Sequence, residues 1–217
     1  MSDIFREIDE EVRRENFKKL WERHGTLIVA AVVLFVLAVA GWRGYEWWQA
    51  REAARTGTQF EQAVALVEQG KHAEAQAAFA TIAAEGSRGY RPLARLREAA
   101  ALGQADPAAA VAAYDKIAAD TGLDATLREL AALHAGALMV DTASYEDVLR
   151  RLEPLAGGDR TFRHSAREYL ALSAWRASNT DETRRWIEAI TADPETPPAI
   201  RSRSDVLSAL VPPAAKS

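Results

Sequence analysis

Hydrophobic residues are distributed along this chain in two different ways. Between residues 26 and 42 it reads TLIVAAVVLFVLAVAGW, an apolar run without a charge. After residue 49 no window alternates with period two for long. Apolar positions recur there at helical spacing, interrupted by Gly, Pro, Asn and Asp. The spacing predicts helices over 58–69, 72–85, 90–104, 107–120, 124–140, 144–156, 161–178, 180–192 and 199–210. Asp106-Pro107 offers an N-cap followed by proline at the first helical position. Ser144 and Asn179 each precede a helix with an acid three residues on, in the manner of a capping box.

The helices fall into pairs, and the second of each pair repeats one pattern. It reads Ala75/Phe79/Ile82, Ala110/Tyr114/Ile117, Val148/Leu152/Leu155 and Thr183/Ile187/Ile190. Starting positions 75, 110, 148 and 183 are 35, 38 and 35 apart, the mark of a helical-hairpin solenoid. Phe79, Ile82, Tyr114, Ile117, Leu152, Leu155, Ile187 and Ile190 are the expected repeat core. Small residues stand where first helices must pack closely, at Ala63, Gly136 and Ala171; Glu98 takes that place in the second repeat, and Thr183 is also off pattern. The helix over 199–210 is expected to cover the last apolar face. The fold class is therefore all-α, a single transmembrane helix followed by a solenoid. The expected organisation is an amphipathic segment over 1–25, an anchor over 26–48, a repeat domain over 49–212 and a tail over 213–217.

From Leu27 to Trp48 a helix rises about 33 Å, enough to cross a bilayer. Trp42, Tyr45, Trp47 and Trp48 crowd one end and Trp21 the other, as amphipathic rings do at the headgroup layer. A secretory signal would instead be cut at the small-x-small motif AVA over 38–40, releasing a soluble repeat protein after Ala40. The long, acid-rich region before the run and the aromatic cluster after it favour a retained anchor. Arg6, Arg13, Arg14, Lys18, Lys19 and Arg23 precede the run, against Arg43, Arg51 and Arg55 after it. This bias expects a cytoplasmic N-terminus and a periplasmic repeat domain.

Residues 2–25 read as a mixed-charge helix with two apolar stripes. Phe17, Leu20, Trp21 and His24 adjoin the membrane. Ile4, Phe5, Ile8 and Val12 lie about half a turn away and are candidates for a cytoplasmic partner.

Composition narrows the chemistry. Net charge is −4, against nucleic acid as the main partner. Cysteine is absent, which removes thiol nucleophiles, CxxC pairs and thiolate zinc sites. His24, His72, His134 and His164 show no metal-ligand spacing. His164 and Ser165 are neighbours on one helix and diverge by about 100°, so they do not oppose each other as a catalytic pair. His134, among apolar residues, is expected to pack. Arg97, Arg128 and Arg167 each precede a glutamate in a first helix but sit at different repeat positions, and read as surface charge. The only asparagines are Asn16 and Asn179, so no Asn/Lys clamp for a terminal carboxylate is built. No catalytic residue, cofactor or metal is expected; a partner would be held by shape, apolar contact and dispersed charge.

The period resembles the tetratricopeptide repeat. DIFREIDEEVRRENFKKLWERHG, followed by one apolar helix and degenerate repeats, resembles the ancillary SecYEG translocon subunit family of bacterial inner-membrane proteins. LDATLRELAALHAGAL over 123–138 and RHSAREYLALSAW over 163–175 are similar to segments of its proteobacterial members. That resemblance implies a single-pass protein whose periplasmic repeats associate with the Sec translocon and periplasmic chaperones, without catalysis. An assembly factor for another envelope system, such as cytochrome maturation or division, shares this architecture.

Overall fold

The computed structural model describes residues 2–212, with side chains at Lys18 and from Trp21 onward. Ile4, Phe5, Ile8 and Val12 therefore lie outside the described side chains, and the tail over 213–217 outside the described residues. The chain divides into two units, Met1–Glu52 and Ala53–Ser217.

The first unit is helical throughout its described length, within α1 (Ser2–Glu68). Its apolar run buries nothing: Leu34, Phe35 and Leu37 are 71%, 68% and 66% exposed. Burying each such side chain is worth about 1.5–3 kcal/mol, so a bare helix of this kind is costly in water. α1 is long and apolar enough to cross a membrane, with a mean hydropathy of 2.5 in its most apolar stretch. Over 26–48 it rises about 34 Å, against about 30 Å of hydrocarbon.

The second unit opens with the end of α1 and continues through α2 (His72–Glu85), α3 (Tyr90–Leu102), α4 (Pro107–Ala118), α5 (Ala125–Met139), α6 (Tyr145–Leu152), α7 (Arg163–Arg176), α8 (Thr180–Thr191) and α9 (Pro198–Leu210). No strand occurs among the described residues. The ends agree with local chemistry. Gly70, at φ 74°, closes α1 and lets Lys71 N donate to Leu66 O at 2.9 Å. The carboxylate of Asp106 accepts from Ala109 N at 2.9 Å and that of Asp124 from Thr126 N at 2.8 Å. Ser144 Oγ accepts from Asp147 N, and Asn179 Oδ1 from Glu182 N, at 3.2 and 3.3 Å. Two expected helices differ: the one over 58–69 is the end of α1, continuous from Ser2, and the one over 144–156 is cut short. The segment over 144–156 is α-helical only to Leu152 and finishes as a 3₁₀ turn, Glu153–Leu155. Pro154 supplies no amide hydrogen, and its ring would crowd the carbonyl of Arg150 in a continued α-helix.

The core follows the repeats. One cluster joins Ala63, Phe79, Ile82 and Ala94; a second joins Leu96, Tyr114, Ile117 and Ala131; a third joins Val148, Leu152, Leu170 and Ile187. All twelve positions of the second-helix pattern are buried. Thr183 is accommodated because its hydroxyl donates to Asn179 O at 2.8 Å, so no polar hydrogen is stranded. Gly136 is required by contact: a Cβ there would stand 2.3 Å from Leu152 Cδ2. Ion pairs tie successive repeats together, among them Arg151–Asp115, Arg160–Glu129 and Arg203–Glu168.

Candidate protein-binding groove

The second unit carries a groove of about 840 Å³ bordered by first helices of consecutive repeats. α1 contributes Phe60, α3 contributes Leu93 and Arg97, α5 contributes Leu130 and Leu138, and α7 contributes Tyr169. The floor is held from behind. Phe60 stacks edge-on against Phe79 at 5.3 Å and tilts against Tyr90 at 5.5 Å. Tyr114 donates to Leu96 O at 3.4 Å and stacks on His134 at 5.4 Å.

Repeat register explains why these residues meet. Leu96, His134 and Tyr169 each stand two residues before the position held by Glu98, Gly136 and Ala171, and all three line the groove. In the first repeat that register falls on Glu61, but the neighbouring Phe60 lines the groove instead. The phase that places the small residues also marks these groove positions, two residues back in the sequence. His134, expected to pack, is instead exposed, with its ring stacked on Tyr114.

The groove's electrostatics come from one cation. No carboxylate lines it. Burial is the first cause of the raised Tyr114 and lowered His134 pKa values; the charge of Arg97 acts second on both, lowering each. A neutral imidazole is thereby favoured over imidazolium. Arg97 makes no hydrogen bond or ion pair among the described residues.

The three Arg-Glu arginines part company here. Arg97 opens onto the groove, as surface charge does. Arg128 is half-buried, with its Nε unpartnered among the described residues. Arg167, also read as surface charge, is buried. Its Nε donates to Ala156 O at 2.9 Å and its Nη1 to Ala189 O at 3.1 Å and Asp193 Oδ2 at 2.9 Å. It reaches inward because it stands four residues before Ala171, one helical turn back on the inner face. Asp193 also accepts from Arg163 Nε at 3.0 Å. His164 serves the same corner. Thr196 Oγ1 donates to Ile190 O at 2.7 Å and so accepts from His164 Nδ1 at 3.1 Å. Ser165 takes no part in this bonding. His72, at the first residue of α2, is half-buried. Among the described residues no group of three or more acidic or histidine side chains could hold a metal ion.

In the first unit, Trp21, Trp42, Tyr45, Trp47 and Trp48 are half or more exposed. Gln49 Nε2 donates to Tyr45 Oη at 2.8 Å, and Arg51 lies 4.7 Å over the Trp47 ring. Amphipathic rings with a cation beside them suit a headgroup layer.

A family model described as a tetratricopeptide repeat-like domain matches residues 18–169. The chain belongs to that family. The match includes the apolar run and extends into α7. The chain is also similar to the ancillary SecYEG translocon subunit of Haemophilus influenzae, at 25% identity over 150 residues that cover 69% of this chain and 74% of the relative. No solved structure matches it significantly. As a tetratricopeptide repeat-like protein, the chain presents its groove from first helices, with the second helices packed behind.

Proposed function

We propose that this protein is a membrane-anchored adaptor without catalytic activity, which holds a protein-binding repeat module beside the Sec translocon and periplasmic chaperones. The groove across consecutive first helices carries the reading, because it offers apolar surface and one cation but no catalytic set. The similarity to a translocon subunit supports the translocon as partner, and the exposed apolar run of α1 supports anchoring. Tethering would raise the effective concentration of a weak partner.

Cross-linking in native membranes, followed by mass spectrometry, is expected to recover translocon subunits and a periplasmic chaperone. Recovery of neither would end this reading. Replacing residues 1–48 with an unrelated single-pass anchor then locates specificity. Recovery that survives the swap assigns it to the repeats; loss with a folded repeat domain assigns it to the anchor or to the stripe Ile4, Phe5, Ile8 and Val12.

Orientation follows from the Lys/Arg bias. The absence of native cysteine makes the test direct. With a single cysteine at Ser2 or Ser217, an impermeant maleimide added to intact spheroplasts is expected to label position 217 and spare position 2. The opposite result would invert the topology. N-terminal sequencing of the membrane-extracted chain is expected to start upstream of the apolar run; a start at Gly41 would establish cleavage.

A further inference from the structure

Arg97 is the one charged residue that lines the groove, and like Arg91 and Arg128 it pairs with no carboxylate among the described residues. Arg95, Arg151, Arg160, Arg163 and Arg203 each pair with a carboxylate. Arg97 is exposed on the lining of the groove, among residues that include no carboxylate. Its planar guanidinium is weakly hydrated and suits a partly apolar setting. Leu93 precedes it by one turn on α3 and is 42% exposed. The groove continues past it on either side, towards Phe60 from α1 and towards Leu138 and Tyr169 from α5 and α7. The cation thus stands between two apolar stretches rather than at an end.

Four first helices border the groove, and packed helices stand about 8–10 Å apart. The span is therefore on the order of 25–30 Å, the length of about eight or nine residues in extended conformation. A chain end would place its carboxylate at one limit of that span, away from Arg97. A side-chain carboxylate in mid-segment would meet it.

We infer that the groove captures an extended polypeptide segment in which one aspartate or glutamate is flanked on both sides by large apolar residues, with Arg97 receiving the carboxylate. This rests on the adaptor reading above and specifies the partner's chemistry.

The full chain in lipid nanodiscs is titrated against fluorescent nine-residue peptides capped at both ends. These carry leucine and phenylalanine on either side of a central glutamate, glutamine or lysine; a fourth has a central glutamine and a free C-terminal carboxylate. Anisotropy is expected to show the glutamate peptide binding about five- to tenfold tighter than the glutamine peptide at low salt, the scale of a partly shielded charge pair. Arg97→Gln is expected to abolish that difference, and Arg97→Glu to favour the lysine peptide. Leu93→Asp is expected to weaken all of them, with helicity by circular dichroism unchanged. Equal binding of the capped glutamate, glutamine and lysine peptides overturns the inference. So does no binding at all, discrimination that survives Arg97→Gln, or a free C-terminus that replaces the glutamate. Should the peptides fail while translocon subunits are still recovered by cross-linking, the groove assignment falls and the adaptor stands. Charge-selective peptide binding without any recovered partner has the reverse meaning.

Discussion

Gly136→Val is expected to destabilise the repeat domain severely, and to be relieved when Leu152 is also reduced to alanine. A Cβ at residue 136 would meet Leu152 at 2.3 Å from Cδ2, 2.6 Å from Cγ and 2.9 Å from Cδ1. Leu152 has nowhere to withdraw, since it is fully buried in the cluster that joins α6 to α7 and α8. Overpacking of a dense core costs about 1–3 kcal/mol and more when side chains cannot shift. Valine also adds β-branching within a helix. Leu152→Ala alone should cost about 2–5 kcal/mol by leaving a cavity. The two losses should not add, because the second change supplies the space that the first needs. Denaturant unfolding of the four proteins measures this coupling. Strict additivity would show that α5 and α6 separate without strain, and would refute the close contact.

Arg167→Ala is expected to be the most damaging change at a charged residue in the repeat domain. The side chain is 10% exposed and donates to two main-chain carbonyls and one carboxylate. Removing a buried charged donor leaves its acceptors unsatisfied, at a cost of about 3 kcal/mol or more. Arg167→Lys should recover less than half of this, because a single ammonium cannot reach acceptors that diverge around a planar fork. Acid sensitivity supplies a readout that packing alone would not move. The Arg163 guanidinium holds the Asp193 carboxyl far below the usual carboxylate range, against the opposing effect of burial; the amide of Glu195 and Arg167 add to the lowering. A carboxyl depressed on folding binds protons less readily than in the unfolded chain. Its contribution is therefore full above about pH 4 and is lost as pH falls through the lower folded value. Arg167→Ala should lessen the acid dependence of thermal unfolding below pH 4. An unchanged acid profile would mean that Arg167 acts by packing only.

The two changes bear on one design. Each pair of helices closes around a small residue or an inward polar bond, and each then presents its first helix to the groove. In the segmented core, damage at residue 136 or 167 should unravel the repeats nearest to it before distant ones.

Much of this architecture is decided by local pattern. The 35- and 38-residue phases, the caps at Asp106, Ser144 and Asn179, and the apolar run over 26–42 are all properties of short segments. They specify helices because capping and periodicity act within a few turns. The second-helix positions follow for the same reason: residues four and seven apart share one face, and a solenoid must bury that face. Tertiary structure decided the surroundings of Arg97, Arg128 and Arg167, whose different repeat positions the sequence phase already showed. Their short sequences are alike, but each stands at a different angle to the neighbouring helices, so one meets the groove, one is half-covered and one is buried. The groove belongs to this second kind. Leu96, His134 and Tyr169 are far apart in sequence and unlike in chemistry, and they become one surface only when equal register on three helices aligns them in space.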